Sequence, residues 1–291
     1  MGFIGGALGY RLLTQIAARE GRSVALNGAA YAGASKLEVL LGHEFFEEIQ
    51  GKVVLDFGCG PGAEAIEMAQ RGARRVLGVD IRQSFLETAR ARAIEAGVAD
   101  RCVFTSAPEE AADIVVSLDS FEHFKDPAAI LRIMDSYLAP DGKAIASFGP
   151  PWYHPLGGHL FSVFPWAHLI FTEQALVRWR KRFRPHQAAR TIMECGLNKM
   201  TVGRFERLIA ESPFRFERCQ IRPIHGHSWL TVPVLREFGT SVVTCTLVKR
   251  PEPQPPLPRA ADRAIADVQD HACTIVATVG SGCADGGPQS S

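Results

Sequence analysis

The spacing of apolar residues changes along the chain near residue 52. Before it, apolar positions at helical spacing predict one helix from about Leu8 to Arg19 and another from Lys36 to Ile49. After it come five short apolar runs that are typical of buried strands, at 53–55, 75–80, 102–104, 114–116 and 144–146. Helical segments separate these runs, so strands that are apolar on both faces alternate with helices. This order predicts an α/β fold with a doubly wound, mainly parallel sheet.

The last helix before the fifth strand has clear end signals. Asp126 can cap its start, Pro127 suits its first turn, and Pro140-Asp141-Gly142 predicts its end. After the fifth strand the alternation stops, and strand-like segments return only at 214–224 and 242–248.

These changes of pattern predict three regions. Residues 1–50 form an N-terminal helical cap, and 51–250 form the main domain, with a helical insertion at about 150–213. Residues 251–291 are rich in proline and then in small residues, which predicts a linker and a disordered tail.

Composition narrows the class of protein. With 291 residues, 46% of them hydrophobic and 22% charged, the chain has ordinary globular composition. A formal net charge of +1 gives no overall attraction to nucleic acid or to an anionic membrane. The seven cysteines show no C-x-x-C pair or zinc spacing, so we expect no disulfide framework and no metal site. We also expect no transmembrane segment and no signal peptide, and hence a cytoplasmic location.

A glycine-rich loop follows the first strand in Leu55-Asp56-Phe57-Gly58-Cys59-Gly60-Pro61-Gly62. Such glycines let the backbone turn sharply and approach a ligand. With Asp80 about twenty residues on, the loop also fits a dinucleotide pattern, so NAD has to be considered. An anionic Asp56 would repel a pyrophosphate, whereas it would stabilise the ammonium and sulfonium groups of S-adenosylmethionine. Charge therefore favours S-adenosylmethionine over NAD.

Two segments carry a family resemblance: 54–62, with the glycine loop, and 78–81 at the end of the second strand. They resemble the class I S-adenosylmethionine-dependent methyltransferases. More narrowly, 113–127 and 138–143 are similar to the small-molecule (type 11) branch that includes quinone-biosynthesis methyltransferases. The resemblance implies a Rossmann-like seven-stranded sheet whose last strand, within 240–249, is antiparallel. It also implies S-adenosyl-L-methionine as the cofactor.

The resemblance assigns roles to particular residues. The glycine loop would hold the methionine part of the cofactor, the acid after the second strand its ribose, and the next residue its adenine. Asp119 borders the same crevice. The expected cofactor residues are therefore Asp56, Gly58, Gly60, Asp80, Ile81 and Asp119. The acid that the family commonly has near the end of the third strand has no counterpart here, since 106–108 come before Glu109.

Three histidines follow the fourth and fifth strands, where an acceptor would lie: His123, His154 and His159. A neutral histidine can take a proton from an acceptor near pH 7, so we expect at least one of them to act as the general base. The alternative is structural, because histidines also cap helices and hold loops through backbone hydrogen bonds.

Aromatic and aliphatic residues fill 160–171, and a basic run follows at 178–190. The apolar stretch can line a pocket for a hydrophobic acceptor, form its own core, or support a peripheral membrane contact through 160–184. The basic run can bind phosphate but is more often a solvated helix face, so we do not expect nucleic acid as a partner.

The sequence thus predicts transfer of a methyl group to a hydrophobic small molecule, most simply at oxygen with a histidine base. Three alternatives stay open: an RNA methyltransferase using the basic run, an NAD-dependent oxidoreductase, and an inactive partner-binding subunit.

Overall fold

The computed structural model describes residues 2–20, 33–183 and 188–251. The predicted linker and tail therefore lie outside the described residues, apart from Pro251. Part of the basic run, 184–187, lies outside them as well.

Strands and helices alternate through the first half of the described chain, as the apolar pattern predicts. The strands in the described ranges are β1 Val53–Phe57, β2 Arg75–Val79, β3 Cys102–Thr105, β4 Ala112–Ser117, β5 Leu138–Phe148, β6 Phe214–Pro223 and β7 Thr240–Lys249. The α-helices there are α1 Gly6–Glu20, α2 Lys36–Leu41, α3 Glu44–Glu48, α4 Ala63–Gln70, α5 Gln83–Glu95, α6 Pro127–Tyr137, α7 Ala167–Ile170, α8 Glu173–Lys181, α9 Val202–Ala210 and α10 Arg236–Gly239.

The strands form one seven-stranded sheet in the order β3-β2-β1-β4-β5-β7-β6. β1 to β5 pair in parallel, and β7 lies antiparallel between β5 and β6. The doubly wound, mainly parallel sheet is confirmed, as is an antiparallel last strand at 240–249. The strand order reverses between β1 and β4, and in such sheets the carboxyl ends of the strands at this point form the ligand crevice.

Successive strand residues supply two separate cores, one on each face of the sheet. Val54 and Ile114 pack against α2 to α5, whereas Leu55 and Val115 pack against α6 and α9. All four side chains are fully buried. Because the central strands β1 and β4 are apolar on both faces, the middle of the sheet is covered on both sides, as a parallel sheet requires.

A third apolar cluster lies in the insertion. Leu13 of α1 packs there with Phe161, Phe171 and Leu176, and the backbone of Ile4 pairs with that of Phe171. The described helices of the first fifty residues thus contact different parts of the domain. Helix α1 packs on the insertion, whereas α2 and α3 pack on the sheet.

Two predicted helix boundaries are wrong. The helix predicted from Lys36 to Ile49 is broken into α2 and α3, because Gly42 adopts φ +82° and its N–H bonds back to Glu38. The helix before β5 ends at Tyr137, ahead of the predicted turn, because the backbone of the next residue is already extended. At its start, Asp126 Oδ1 accepts the Ala129 N–H at 2.9 Å, as predicted.

Candidate active site

The predicted cofactor residues meet at one edge of the sheet. Asp56 lies near the end of β1, Asp80 directly follows β2, and Asp119 follows β4 by two residues. β1 pairs with both β2 and β4, so these three acids occupy neighbouring positions at the carboxyl ends of parallel strands. Ile81 is adjacent and is 95% exposed, so its side chain is available to a ligand.

The glycine loop leaves its backbone open to a ligand. Gly58 has φ +88° and Gly60 has φ +52°. A Cβ added at Gly58 would meet no atom within 4 Å, and one at Gly60 would meet nothing closer than 3.8 Å. Gly62 has a different reason to be glycine, because a Cβ there would lie 2.7 Å from the Cβ of Ala89. The first two glycines therefore keep the site clear, and the third allows α4 to pack on α5.

Asp56 carries a buried carboxyl group, one oxygen of which has no hydrogen-bond partner among the described residues. The residue is 6% exposed, and Oδ2 accepts no hydrogen bond from the described residues. Burial raises the pKa of Asp56 to about 8, and the negative charges of Glu64 and Asp80 act in the same direction. A cationic ligand would satisfy this oxygen and favour its ionised form, whereas a pyrophosphate would add to the repulsion. The site therefore fits a sulfonium nucleoside better than a dinucleotide.

Lys36 is a site residue that the sequence did not reveal. Its Nζ lies 3.3 Å from Asp119 Oδ2 and 3.4 Å from Glu64 Oε1, at the mouth of the crevice. Burial alone would lower the pKa of Lys36, but these two acids raise it. Ser35 caps α2 by accepting the Glu38 N–H at 3.1 Å, which fixes Lys36 in the first turn of the helix. Lys36 therefore brings a positive charge to a group of acidic side chains.

Of the three predicted histidines, His123 and His159 come together, with ring centroids 5.5 Å apart. Nδ1 of His123 lies 2.7 Å from the carbonyl oxygen of Gly196. A carbonyl can only accept, so Nδ1 carries the hydrogen and neutral His123 keeps a lone pair on Nε2. His159 also has a buried Nε2 without a partner among the described residues. Burial, followed by the neighbouring His123, lowers the pKa of His159 to about 4.

His154 is used differently. Its Nδ1 accepts the Leu156 N–H at 2.9 Å, so the lone pair on Nδ1 is used in a hydrogen bond within the loop. Burial lowers its pKa to about 4. This backbone contact is of the kind that the structural alternative predicts for these histidines.

Glu122 is a second residue close to Asp119 that the sequence analysis did not name as a candidate. It is 3% exposed, and its Oε1 accepts the Gly149 N–H at 3.3 Å, where the insertion begins. Its Oε2 has no partner among the described residues. Burial raises the pKa of Glu122 to about 8, and Asp119 acts in the same direction. The carboxyl group of Glu122 is therefore mainly neutral near pH 7, and it bonds to the backbone directly after β5.

Comparison with known proteins identifies the family. The profile of a family described as "Methyltransferase domain" matches residues 34–198. The chain belongs to this family. Similar curated proteins are named ubiquinone biosynthesis O-methyltransferase. That of Neisseria meningitidis serogroup C is 34% identical over 181 residues, which are 56% of this chain and 69% of the relative. That of Pseudomonas aeruginosa is 33% identical over 162 residues, 51% of this chain and 66% of the relative.

Among solved structures, an S-adenosylmethionine dependent methyltransferase from Mesorhizobium loti matches with 19% identity and a TM-score of 0.49. The match covers 76% of this chain and 100% of that one. The family profile and the curated relatives confirm the expected class, an S-adenosylmethionine-dependent methyltransferase. Family membership also decides against the NAD-dependent oxidoreductase.

Other features of the methyltransferase bear on the remaining alternatives. The guanidinium of Arg178 lies 4.3 Å from the ring centroid of Tyr10, and that of Arg180 lies 4.9 Å from that of Phe161. Arg180 is only 8% exposed, so part of the basic run packs against the insertion and α1. In the described ranges, no three His, Cys, Asp or Glu side chains are placed to hold a metal ion. No helix in these ranges is long and apolar enough to cross a bilayer.

Proposed function

We propose that this methyltransferase transfers a methyl group from S-adenosylmethionine to an oxygen of a hydrophobic small molecule. The class of acceptor is inferred from the relatives, which are named ubiquinone biosynthesis O-methyltransferase. The proposal rests on one observation: Oδ2 of buried Asp56 has no hydrogen-bond partner among the described residues, and it lies beside an open glycine loop. When bound, the cofactor would supply a methyl group on a positively charged sulfur.

The acids and the lysine would divide the cofactor between them. Lys36 is the cation available for the carboxylate of the methionine part, and Asp56 and Asp119 are the anions available for its ammonium group. Asp80 would accept hydrogen bonds from the ribose, and exposed Ile81 would pack on the adenine. These contacts would hold the cofactor in one position and away from water, which favours methyl transfer through positioning and desolvation.

We infer that His123 is the general base. The Gly196 carbonyl fixes its Nδ1–H, so Nε2 can take the proton of an acceptor hydroxyl. Burial lowers the pKa of His159 to about 4, so His159 is neutral above pH 5 and adds no charge of its own beside His123. His154, whose Nδ1 is held by Leu156, supports the loop that carries His159.

The decisive experiment supplies the purified protein with methyl-labelled S-adenosylmethionine and fractions of a cell extract. We expect label in the lipophilic metabolite fraction. His123→Ala should lower turnover by about a hundredfold or more, the usual contribution of a general base, whereas His154→Ala should keep most of it once folding is matched. Label in RNA would favour the RNA methyltransferase instead. Cofactor binding without any labelled product would favour the inactive partner-binding subunit.

A peripheral membrane contact is the partner that we propose for delivery of a hydrophobic acceptor. Within the predicted segment 160–184, many of the described apolar side chains lie in their own core, while Trp166 is 41% and Phe183 59% exposed. The connection between β6 and β7 is more exposed, with Trp229 at 61%, Val234 at 79% and Phe238 at 45%. Phe238 contacts Tyr153 of the insertion, with ring centroids 5.5 Å apart, so this connection lies beside the insertion.

Sedimentation with phosphatidylcholine vesicles tests this contact. We expect Val234→Asp to reduce co-sedimentation severalfold, while Ile133→Asp, a change at an exposed apolar residue of α6, leaves it unchanged. Equal sedimentation of both variants and the wild type would refute the surface. A cytoplasmic location remains a prediction of the sequence.

A further inference from the structure

Asp80, the acid proposed to bind the ribose, already has hydrogen-bond donors from its own chain. Its Oδ2 accepts the Gly60 N–H at 3.1 Å and its Oδ1 accepts the Arg82 N–H at 2.8 Å. The guanidinium of Arg82 adds Nε to Oδ1 at 3.2 Å and Nη2 to Oδ2 at 3.3 Å. A carboxylate has about four acceptor positions, so this set of donors saturates Asp80.

The four donors differ in how easily they can leave. The two backbone N–H groups are fixed by the glycine loop and by the start of α5. The guanidinium is carried on a long side chain that is 58% exposed. It also lies over the ring of Phe85, 3.6 Å from the centroid, so it has a second favourable contact that does not involve Asp80. Rotation of the Arg82 side chain can therefore free one position on each oxygen while the backbone bonds stay in place.

A ribose offers two neighbouring hydroxyl groups, and each needs an acceptor. The positions that they need on Asp80 are those that the guanidinium occupies. We propose that Arg82 is an affinity-determining residue of the cofactor site, whose guanidinium competes with the ribose hydroxyls for Asp80 and swings away when the nucleoside binds. This inference rests on the proposed function, because it assumes that Asp80 receives the ribose.

There is a physical reason for Asp80 to bind Arg82 first and the ribose afterwards. Asp80 is 6% exposed, and a buried carboxylate without partners is unfavourable. Arg82 keeps this carboxylate paired before the ribose arrives, and the ribose pairs it afterwards. The contact with Arg82 therefore opposes binding by the free energy needed to break it, which weakens the cofactor affinity without removing any cofactor contact.

Calorimetric titration with S-adenosylhomocysteine tests the competition. In low salt, Arg82→Ala should bind about fivefold more tightly than the wild type, since a charge-assisted pair at a half-exposed position contributes roughly that much. Arg82→Lys, which keeps the charge but not the paired donors, should lie between the two. Arg74→Ala is the matched control, because this exposed arginine precedes β2 at the opposite end of the strand.

Salt supplies the second readout, one that a merely structural role of Arg82 would not change. Roughly 0.5 M NaCl screens an exposed ion pair, so the difference in affinity between the wild type and Arg82→Ala should shrink. Weaker binding by Arg82→Ala would show that the arginine contacts the ligand, and equal binding would show that it does not compete. Either result overturns the inference. If wild type and variant both fail to bind, the proposed function itself fails.

Discussion

At the residue scale, the acid of the glycine loop differs from the sequence-based expectation in one respect. The choice between S-adenosylmethionine and NAD treated Asp56 as an anion. Burial raises the pKa of Asp56 to about 8, so the free protein holds this carboxyl group mainly protonated at neutral pH. The site still prefers a cationic ligand, because a nearby ammonium or sulfonium group favours the ionised form of Asp56. Ligand binding therefore becomes coupled to the loss of a proton.

That coupling predicts a pH dependence of cofactor binding. Asp56 must ionise to pair with the ligand, so the affinity for S-adenosylhomocysteine should rise between pH 6 and 8. The limit is about tenfold per pH unit for one proton. Calorimetry in buffers of different ionisation enthalpy should count up to one proton released. Asp56→Asn should bind more weakly and release none, while Glu95→Gln, at an exposed position of α5, should behave as the wild type.

An affinity that is flat from pH 6 to 8 in the wild type would contradict the raised pKa of Asp56. The sequence could place Asp56 and Asp80 at the carboxyl ends of their strands, because each directly follows or ends an apolar run that predicts a strand. It could not identify Lys36, whose contacts with Glu64 and Asp119 depend on how α2 packs across the sheet edge. Arg82 is adjacent to a predicted residue, but its contact with Asp80 depends on a side-chain rotamer that no spacing encodes.

At the scale of elements, the insertion is held together by buried polar contacts as well as by its apolar cluster. His168 of α7 is 2% exposed, and its Nε2 lies 2.6 Å from the carbonyl oxygen of Trp152. Its Nδ1 lies 3.4 Å from Ser162 Oγ, and its ring packs on Trp152 with centroids 4.7 Å apart. Gly158 belongs to the same contact, because a Cβ there would lie 2.5 Å from the Cβ of His168. One histidine thus joins three stretches of the insertion.

We expect His168→Ala to loosen the insertion without disturbing the cofactor site. The change leaves a cavity and an unpaired carbonyl, which together should lower the free energy of unfolding by about 2–4 kcal/mol. Thermal melting and limited proteolysis between β5 and α9 measure this loss. Binding of S-adenosylhomocysteine should stay within about twofold of the wild type, since the sheet edge carries that site. His227→Ala, at an exposed histidine, is the control. Loss of cofactor binding in folded His168→Ala would show that the two elements are not independent.

At the scale of the whole molecule, the sheet was predictable, whereas the sequence predicted the position of the insertion but not its packing. Each of the first five strands carries a short apolar run, and those of β1, β2 and β4 are almost entirely buried, so the number of strands and their parallel arrangement follow from the pattern. The insertion has mixed spacing and several prolines, and its packing on α1 joins residues more than a hundred positions apart, such as Ile4 and Phe171. Such contacts leave no local periodic signal.

Several buried titratable groups have shifted pKa values, so the free energy of unfolding of the whole molecule should depend on pH and pass through a maximum. The pKa values of Asp56 and Glu122 rise to about 8, because both are buried, so the folded chain keeps two protons that the unfolded chain loses above pH 4. Stability from these carboxyl groups is lost as the pH rises toward 8. The pKa values of His154, His159 and His168 fall to about 4, also because of burial. Below pH 6.5 the unfolded chain binds three protons that the folded chain does not, so stability from these histidines is lost on acidification.

Below about pH 6.5 the two effects oppose each other, whereas from pH 6.5 to 8 only the carboxyl groups act. Urea unfolding should therefore give a maximum near pH 6.5, a shallow fall on the acid side, and an alkaline fall of at most about 2.7 kcal/mol per pH unit for two protons. Combining Asp56→Asn with Glu122→Gln should flatten the alkaline side. It should also steepen the acid side, where three histidine protons are then unopposed. Glu95→Gln should leave the curve unchanged. A wild-type stability that is constant between pH 6.5 and 8 would mean that neither carboxyl group is held protonated, and the unpartnered oxygens of Asp56 and Glu122 would then need another explanation.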